Sequence, residues 1–249
     1  GTDHGYVTIY LVKNNLSPAG IAMDVNKGPL EKAQEHIREE KIGGKIATRL
    51  GNGLAPLEPG ETDTVIIAGM GGDLICKILK AKPEFLIEGK EFILQPQSEW
   101  FKIRRLLKEY RYQIEKEWFL KEDGKYYVII KAEPAWTQPQ RLKHQQPSIH
   151  EYIKEISDTQ VNQAVSEKDM ESIYEQYGKY LIETKNPVLK EYLEKEITKK
   201  ESIAAELKQS IKEIESEELS GKERGNIAKR QRRYQEIQKE IRDMRKAIG

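Results

Sequence analysis

The chain has 249 residues, with 42 lysines and arginines against 41 aspartates and glutamates, so its net charge says nothing about a partner. A mean hydropathy of −0.73 and the lack of any apolar run near the ~20 residues of a membrane span exclude a membrane-embedded chain, and no signal peptide is visible. Charged residues make up 33%, concentrated after residue 150, and the single cysteine, Cys76, excludes an internal disulfide and suits a reducing cytoplasm.

Gly1-Thr2-Asp3-His4-Gly5 reads as a turn-rich loop and Tyr6 to Lys13 as a helix with Tyr6, Ile9 and Tyr10 on one face. A loop entering a helix normally follows a strand, so a central strand is expected before Gly1 and the sequence reads as a fragment. Ala19 to Val25 is a short apolar strand that ends in Asp24. A carboxylate at that strand tip can accept hydrogen bonds from both hydroxyls of a ribose, the nucleoside signature of doubly wound folds. The other reading is a cap for the next helix, a role Asn26 would serve equally. Lys27-Gly28-Pro29 puts proline near the first turn of a helix predicted over Leu30 to Lys41, with a stop at Gly43-Gly44. Lys45 to Leu50 is the next strand. It runs into Gly51-Asn52-Gly53-Leu54, where Asn-Gly favours a tight turn and Asn52 also offers an amide to an adenine ring.

Thr62 to Leu79, TDTVIIAGMGGDLICKIL, is the stretch around which the chain is organised. It predicts a buried strand from Thr64 to Ala68, a loop from Gly69 to Gly72, and a helix entered at Asp73. Leu74, Ile75, Ile78 and Leu79 share a face of that helix, and Cys76 is expected on its buried side. Ligands of an open α/β sheet bind beyond the carboxyl ends of its strands, so this loop stands where chemistry is expected. Its glycines let a substrate approach the backbone because no Cβ intervenes. Glu91 to Gln95 is a further strand, and the amides of Gln95 and Gln97 stand at the same crevice, able to read a base edge. Trp100 to Tyr110 is amphipathic, with Lys102, Arg104, Arg105 and Lys108 facing either phosphate or solvent. Tyr112 to Leu120 and Tyr126 to Lys131 form a hairpin about Glu122-Asp123-Gly124-Lys125.

Pro134 to Pro147, with Pro139 between, is a polar connector. Beyond it two heptad seams appear: Leu193, Ile197, Lys200, Ala204, Leu207, Ile211 and Ile214, then Ile227, Arg230, Tyr234, Ile237, Ile241, Met244 and Ile248. Ser220 and Gly221 to Gly225 separate them, so an antiparallel coiled-coil hairpin is predicted. Residues 187–221 hold six basic and nine acidic side chains and residues 222–249 ten and four, a complementarity that favours pairing of the arms. The surplus, Lys229, Arg230, Arg232, Arg233, Arg242, Arg245 and Lys246, is either a nucleic-acid footprint or a solvated flank.

The first loop decides the ligand. It matches neither of the glycine patterns that receive phosphates, and Asp3 would repel one. An acidic glycine-rich loop beside a ribose acid suits a cationic, phosphate-free nucleoside, which is S-adenosylmethionine. The stretches GTDHGYVTIYL, AMDVNKGPLEKA, RLGNGL, IAGMGGDLICKIL and FILQPQ, in this order, resemble the bacterial TrmK family, tRNA (adenine-N1)-methyltransferases acting on adenine 22 of the D-arm. The resemblance covers residues 1 to about 135, and YGKYLIETKNPVLKEYLEKE is similar to the family's connection into its coiled coil. AGMGG is its most specific motif, since most amino-methyltransferases carry a proline-rich loop there. The family usually has Glu where this chain has Asp24 and Asp where it has Asn52.

The resemblance implies an α/β fold, a Rossmann-like class I methyltransferase sheet followed by an α-helical coiled-coil hairpin. It divides the chain into a methyltransferase domain (1–135), a connector with helices (136–186) and the coiled coil (187–249). S-adenosylmethionine would lie against Gly1, Asp3, His4, Gly5, Asp24, Asn52, Gly53 and Ala68. Gly69, Met70, Gly71 and Tyr6 would form the catalytic centre. The substrate is tRNA, met by Asp73, Gln95, Gln97, Trp100, Arg230, Arg232 and Arg233, with Met70, Tyr6 and Trp100 as a base pocket and the carbonyl oxygens of Gly69 to Gly71, or Asp3 or Asp73, as charge stabiliser. No metal and no membrane partner is expected, and the place of action is the cytoplasm. Two rivals stand beside this reading: a Rossmann-like methyltransferase on another substrate, and a non-catalytic RNA-binding protein.

Overall fold

The computed structural model describes residues 1–136, 165–215 and 221–249. Pro139, Pro147 and Ser220 lie outside the described residues, as does the side chain of Ile214. The described chain forms two compact units: one from Gly1–Lys116 with residues 129–136, the other from Glu117–Val128 with the residues from 165 onward.

The first unit is α/β. A 3₁₀ turn at Asp3–Gly5 leads into α1 (Tyr6–Lys13), followed by β1 (Gly20–Asp24), α2 (Lys27–Glu39) and β2 (Ile46–Leu50). Strands β1 and β2 pair in parallel, Gly20 opposite Ile46 and Asp24 opposite Leu50. Ile9, Val12, Ala22, Ile37 and Ile46 close into a small core between these strands and the two helices. The buried face of α1 differs from the expected one: Ile9 and Val12 are buried, whereas Tyr6 and Tyr10 are 60% and 61% exposed. Helix α2 begins three residues earlier than expected, since Pro29 in its first turn forfeits no hydrogen bond. It ends at Glu39, before the glycine pair, because Lys41 itself turns left-handed at φ 58°.

The second sheet has the order β3-β4-β6-β5, from β3 (Thr64–Met70), β4 (Glu91–Pro96), β5 (Tyr112–Glu122) and β6 (Lys125–Pro134). Strands β3 and β4 are parallel and β6 is antiparallel to β4, with Phe92 opposite Ala132. Asp123 and Gly124, at φ 48° and 75°, form the expected tight turn of the β5–β6 hairpin. Strand β3 is longer than predicted and buried on one face only: Val65 and Ile67 point inward, Thr64, Ile66 and Ala68 outward. Against the inner face pack α3 (Gly72–Lys80), α4 (Pro83–Ile87) and α5 (Trp100–Glu109). Ile75, Leu79, Phe85, Leu86, Phe92, Leu94, Ile103 and Leu107 are all fully buried there, and burying each such side chain stabilises by about 1.5–3 kcal/mol. Leu74 is 49% exposed, so it does not share the buried face of α3. Cys76 is half-buried, and that burial pushes its thiol up.

The second unit is helical apart from the tip of the β5–β6 hairpin. It contains α6 (Val165–Tyr177), α7 (Lys179–Glu183), α8 (Pro187–Glu215) and α9 (Gly221–Ile248). The side-chain oxygen of Asn186 caps α8, accepting from the N–H groups of Val188 and Leu189 at 3.0 Å, with Pro187 at the first helical position. Helix α9 starts at Gly221, so the predicted break does not extend to Gly225. The arms are antiparallel: cross-links shorten in sequence separation from 44 (Arg245 to Glu201) to 20 (Arg230 to Ser210) towards the turn. Leu193, Ile197, Ala204 and Ile211 of one seam and Ile227, Ile237, Ile241 and Met244 of the other are buried. The polar seam residues also cross the pair, Lys200 to Glu240 and Arg230 to Ser210. At the hairpin tip Tyr192 meets Phe119 and Tyr126, with ring centroids 5.5 and 5.0 Å away. Glu191 accepts from Lys121 and Lys195, which hold its carboxyl down at about 2.

Candidate active site at the strand ends

Asp24, the last residue of β1, is 7% exposed. Its Oδ1 accepts from the N–H of Asn26 at 2.9 Å, and its other oxygen has no hydrogen-bond partner among the described residues. It therefore shapes the turn into α2 and still keeps half a carboxylate for a ligand. Asn26 sits at the cap position of α2 but makes no side-chain cap bond. Gly1 lies directly against the carboxylate, where an added Cβ would fall 2.0 Å from Oδ2. The structure thus joins the first loop to the tip of β1, with a backbone too close for any side chain. The end of β2 is fastened to the same place, the N–H of Gly51 donating to the carbonyl of Asp24 at 2.9 Å. Asn52 is exposed, its carbonyl closing a turn with Ala55, and its side chain has no hydrogen-bond partner among the described residues. Gly53, at φ 55°, presses on α3: a Cβ there would meet Ile78 at 2.9 Å.

Asp3, His4 and Gly5 have φ of 37°, 58° and 78°, a left-handed run that is costly for the first two. Helix α2 holds it in place. His36 Nδ1 donates to the carbonyl of His4 at 3.0 Å, and Gly5 lies where a Cβ would touch Ala33 at 3.0 Å. His4 Nδ1 is 2.9 Å from the exposed Asp3 carboxylate. The Tyr6 ring stacks on His36 at 5.2 Å, so the aromatic partners seen for Tyr6 are His4 and His36. Sequence reasoning misses His36. Its signal is its place beside Ile37 on α2, readable only once the loop is known to cross that helix.

The turn after β3 is built by the segment that follows β4. A bulge separates Ala68 and Met70 in the ladder, and Gly69 takes φ 76°. The N–H of Gly69 donates to Gln95 Oε1 at 2.7 Å, that of Gln97 to the carbonyl of Met70 at 2.8 Å, and that of Gly72 to Ser98 at 3.0 Å. The N–H of Asp73 reaches Glu99 Oε2 at 3.1 Å, so Glu99, itself left-handed at φ 54°, serves the N-terminus of α3. Strand β3 runs on through Met70 and α3 starts at Gly72, which leaves only Gly71 of the predicted four-residue loop between them. An added Cβ at Gly72 would meet the carbonyl oxygens of Ser98 and Glu99 at 2.6 and 2.7 Å, whereas one at Gly71 would meet Ser98 Oγ at 3.2 Å. Gly72 is therefore the glycine that close packing requires. Gln95 Nε2 is buried and has no hydrogen-bond partner among the described residues, and Gln97 is exposed.

Asp73 is paired with Lys77 at 2.8 Å and Lys102 at 2.9 Å, whose hydrogen bonds hold its carboxyl at about 2. Two ammonium groups thus share its negative charge. Lys102 also binds Glu99 at 2.7 Å, and Arg104 is buried. Trp100 is half-buried at the start of α5. Arg230, Arg232 and Arg233 belong to the other unit. There Arg232 lies 3.8 Å from Glu236, and Arg233 reaches Glu236 and Glu240 at 3.2 and 3.4 Å. Among the described residues no group of three histidines, cysteines or carboxylates can hold a metal ion, and no helix is long and apolar enough to cross a membrane.

The family described as TrmK, tRNA (adenine(22)-N(1))-methyltransferase, matches residues 1–174. The chain belongs to the TrmK family. A Bacillus subtilis tRNA (adenine(22)-N(1))-methyltransferase is 32% identical over 194 residues, 65% of this chain and 80% of that protein. Among solved structures, an uncharacterised protein of Listeria monocytogenes matches at TM-score 0.73 and 25% identity, over 100% of this chain and 90% of that one. M. capricolum TrmK, solved with S-adenosyl-homocysteine, matches at TM-score 0.66 and 25% identity, over 100% and 88%. The structure brings together the first loop, the acid at the end of β1 and the end of β2. The site fits an S-adenosyl nucleoside on its own evidence: a buried carboxylate with an unpartnered oxygen, lined by a glycine that leaves no room for a Cβ.

Proposed function

We infer that this chain transfers a methyl group from S-adenosylmethionine to ring N1 of adenine 22 of tRNA, the reaction for which its family is named. Within the site, the observation that carries the reading is Asp24, held at a strand end with one oxygen unspent. Asp24 would bind the ribose hydroxyls, the Gly1–Gly5 backbone the methionine part, and Asn52 and Gly53 the adenine ring, with Ala68 at the floor. S-adenosylmethionine, when bound, supplies an electrophilic methyl group on a sulfonium centre.

Adenine N1 already carries a lone pair, so no side chain has to remove a proton to create the nucleophile. What the chain must supply is orientation, and holding two reactants in near-attack geometry can contribute several kcal/mol. The Gly69–Gly71 turn does this as a rigid wall: Gln95 and Gln97 fix its backbone, Ser98 fixes Gly72 next to it, and the opposite side is left to the base. Gln95 Nε2, buried and unpartnered, is the donor for a ring acceptor other than N1. Methylation places positive charge on the ring. Since Asp73 is matched by its lysines, the carbonyl oxygens of the turn, each with a second lone pair, take the exocyclic amine. Met70, with Tyr6 and Trp100, offers apolar surface that offsets the few kcal/mol of unstacking the base.

We assign residues 1–135 to catalysis, 136–186 to connection and 187–249 to a coiled coil whose Arg230, Arg232 and Arg233 grip phosphate. Neither metal nor membrane has a part in this chemistry, and a tRNA substrate places it in the cytoplasm. The test is methyl transfer from labelled S-adenosylmethionine onto bulk tRNA, with the modified base mapped. 1-Methyladenosine at position 22 is expected. A product elsewhere would make this a methyltransferase on another substrate, and failure to bind the cofactor in calorimetry would make it an RNA-binding protein without catalysis.

A further inference from the structure

In the helical unit a half-open cavity of about 430 Å³ lies between α6, α8 and α9. Its wall carries three carboxylates, Glu196, Glu240 and Asp243, against one ammonium, Lys200. Lys200 is spent on Glu240. Asp243 has no ion pair or hydrogen bond among the described residues, and Glu196 has only Lys199 at 3.8 Å. The second observation is Tyr177, the last residue of α6. It is 7% exposed and lines the cavity, and its hydroxyl has no hydrogen-bond partner among the described residues. Burial, and after it the Asp243 carboxylate, pushes this phenol up, so it faces the cavity as a neutral hydroxyl. Ile173 and Met244 give the same wall an apolar stretch.

We propose that this cavity binds a small alkyl diamine or polyamine, with one ammonium on Asp243 and the Tyr177 hydroxyl, a second on Glu196, and the methylenes against Ile173 and Met244. The uncompensated charge is negative, which rejects phosphates and nucleotides. A divalent metal ion needs a shell of six or more oxygen ligands, and no group of three suitable side chains gathers among the described residues. An ammonium needs only one carboxylate and a hydroxyl acceptor, which Asp243 and Tyr177 supply. The inference does not rest on the methyl-transfer reading.

The test is calorimetric titration of spermidine into the full chain at fixed ionic strength, beside Asp243→Asn, Tyr177→Phe and Glu236→Gln. Glu236 is an exposed acid of α9 outside the cavity wall. Saturable binding is expected, weakened about tenfold or more by Asp243→Asn, the loss anticipated for a hydrogen bond to a charged group. Tyr177→Phe should weaken it several-fold and Glu236→Gln not at all, with magnesium chloride failing to displace the ligand. If Glu236→Gln weakens binding as much as Asp243→Asn, or if no saturable binding is found, the ligand is only a counterion of an acidic surface and the proposal falls. Tyr177→Phe removes one oxygen, so it decides the matter even if Asp243→Asn melts early: unchanged affinity in that variant also overturns the site.

Discussion

The turn after β3 and the basic arm α9 are both assigned to the substrate, and they are held in opposite ways. The turn is pinned by backbone: the N–H groups of Gly69, Gln97 and Gly72 each donate at 2.7 to 3.0 Å to a residue more than twenty positions away in the chain but adjacent in the fold. The arm holds its arginines loosely, with Arg232 85% exposed and 3.8 Å from its carboxylate. Bond making depends on placement to a fraction of an ångström, whereas gripping a polyanion depends on charge and reach, and the proposed assignment gives one task to each region.

The comparison breaks first at Gly72. Gly72→Ala drives a methyl group into the carbonyls of Ser98 and Glu99. An overpacking cost of about 1–3 kcal/mol is expected in urea unfolding, with turnover down about a hundredfold in the folded fraction. Normal turnover would show that the turn tolerates displacement and is no rigid wall. Next comes Asp24→Ala, expected to weaken S-adenosylmethionine binding by about 1.5–3 kcal/mol in calorimetry. Unchanged affinity would leave Asp24 as no more than the acceptor for Asn26.

Replacing Arg230, Arg232 and Arg233 together with Gln should lower tRNA affinity several-fold and flatten its dependence on salt, by up to ~0.9 in log–log slope for each phosphate no longer neutralised. Cofactor affinity should stay put. An unaltered slope would return that face to a solvated flank. The smallest effect is on acid stability. Asp73 titrates near 3.8 when unfolded and about 2 when folded, so its pairs stabilise the fold above pH 3.8 and lose that contribution as pH falls towards 2. Thermal melting from pH 5 to 2 should therefore drop more steeply in the native chain than in Asp73→Asn. Parallel curves would mean that the lysines do not hold Asp73 in solution.

Much of this architecture is legible because local chemistry wrote it. Helix α1, strand β4, helix α5 and the Asp123–Gly124 turn follow from spacing and turn residues, and the paired arms follow from the heptads. Periodicity does not say which side of a helix is covered, and so Tyr6, Tyr10 and Leu74 turn out exposed where a shared apolar face is expected. Lys41 in a left-handed conformation is a stop that no residue preference announces. In the site, Asp24 and the glycine turn are visible as strand ends, but their supports are not. Glu99 serves a helix that begins 27 residues earlier in the chain, and Gly1 fits against Asp24 only through the fold. Such long-range partners leave no periodic trace. The sequence points to a glycine cluster, while the neighbouring carbonyls make Gly72 the position with the least room for a side chain.

The β5–β6 hairpin begins and ends in the α/β unit, yet its tip, Glu117–Val128, belongs to the helical one. Phe119 is 2% exposed and packs on Tyr192, and Lys121 reaches Glu191. A truncation before residue 187 would strip these partners away and leave an aromatic, unpaired hairpin tip in water, prone to self-association. The buried tip of the ribbon and the helix from Pro187 are thus expected to melt as one cooperative block.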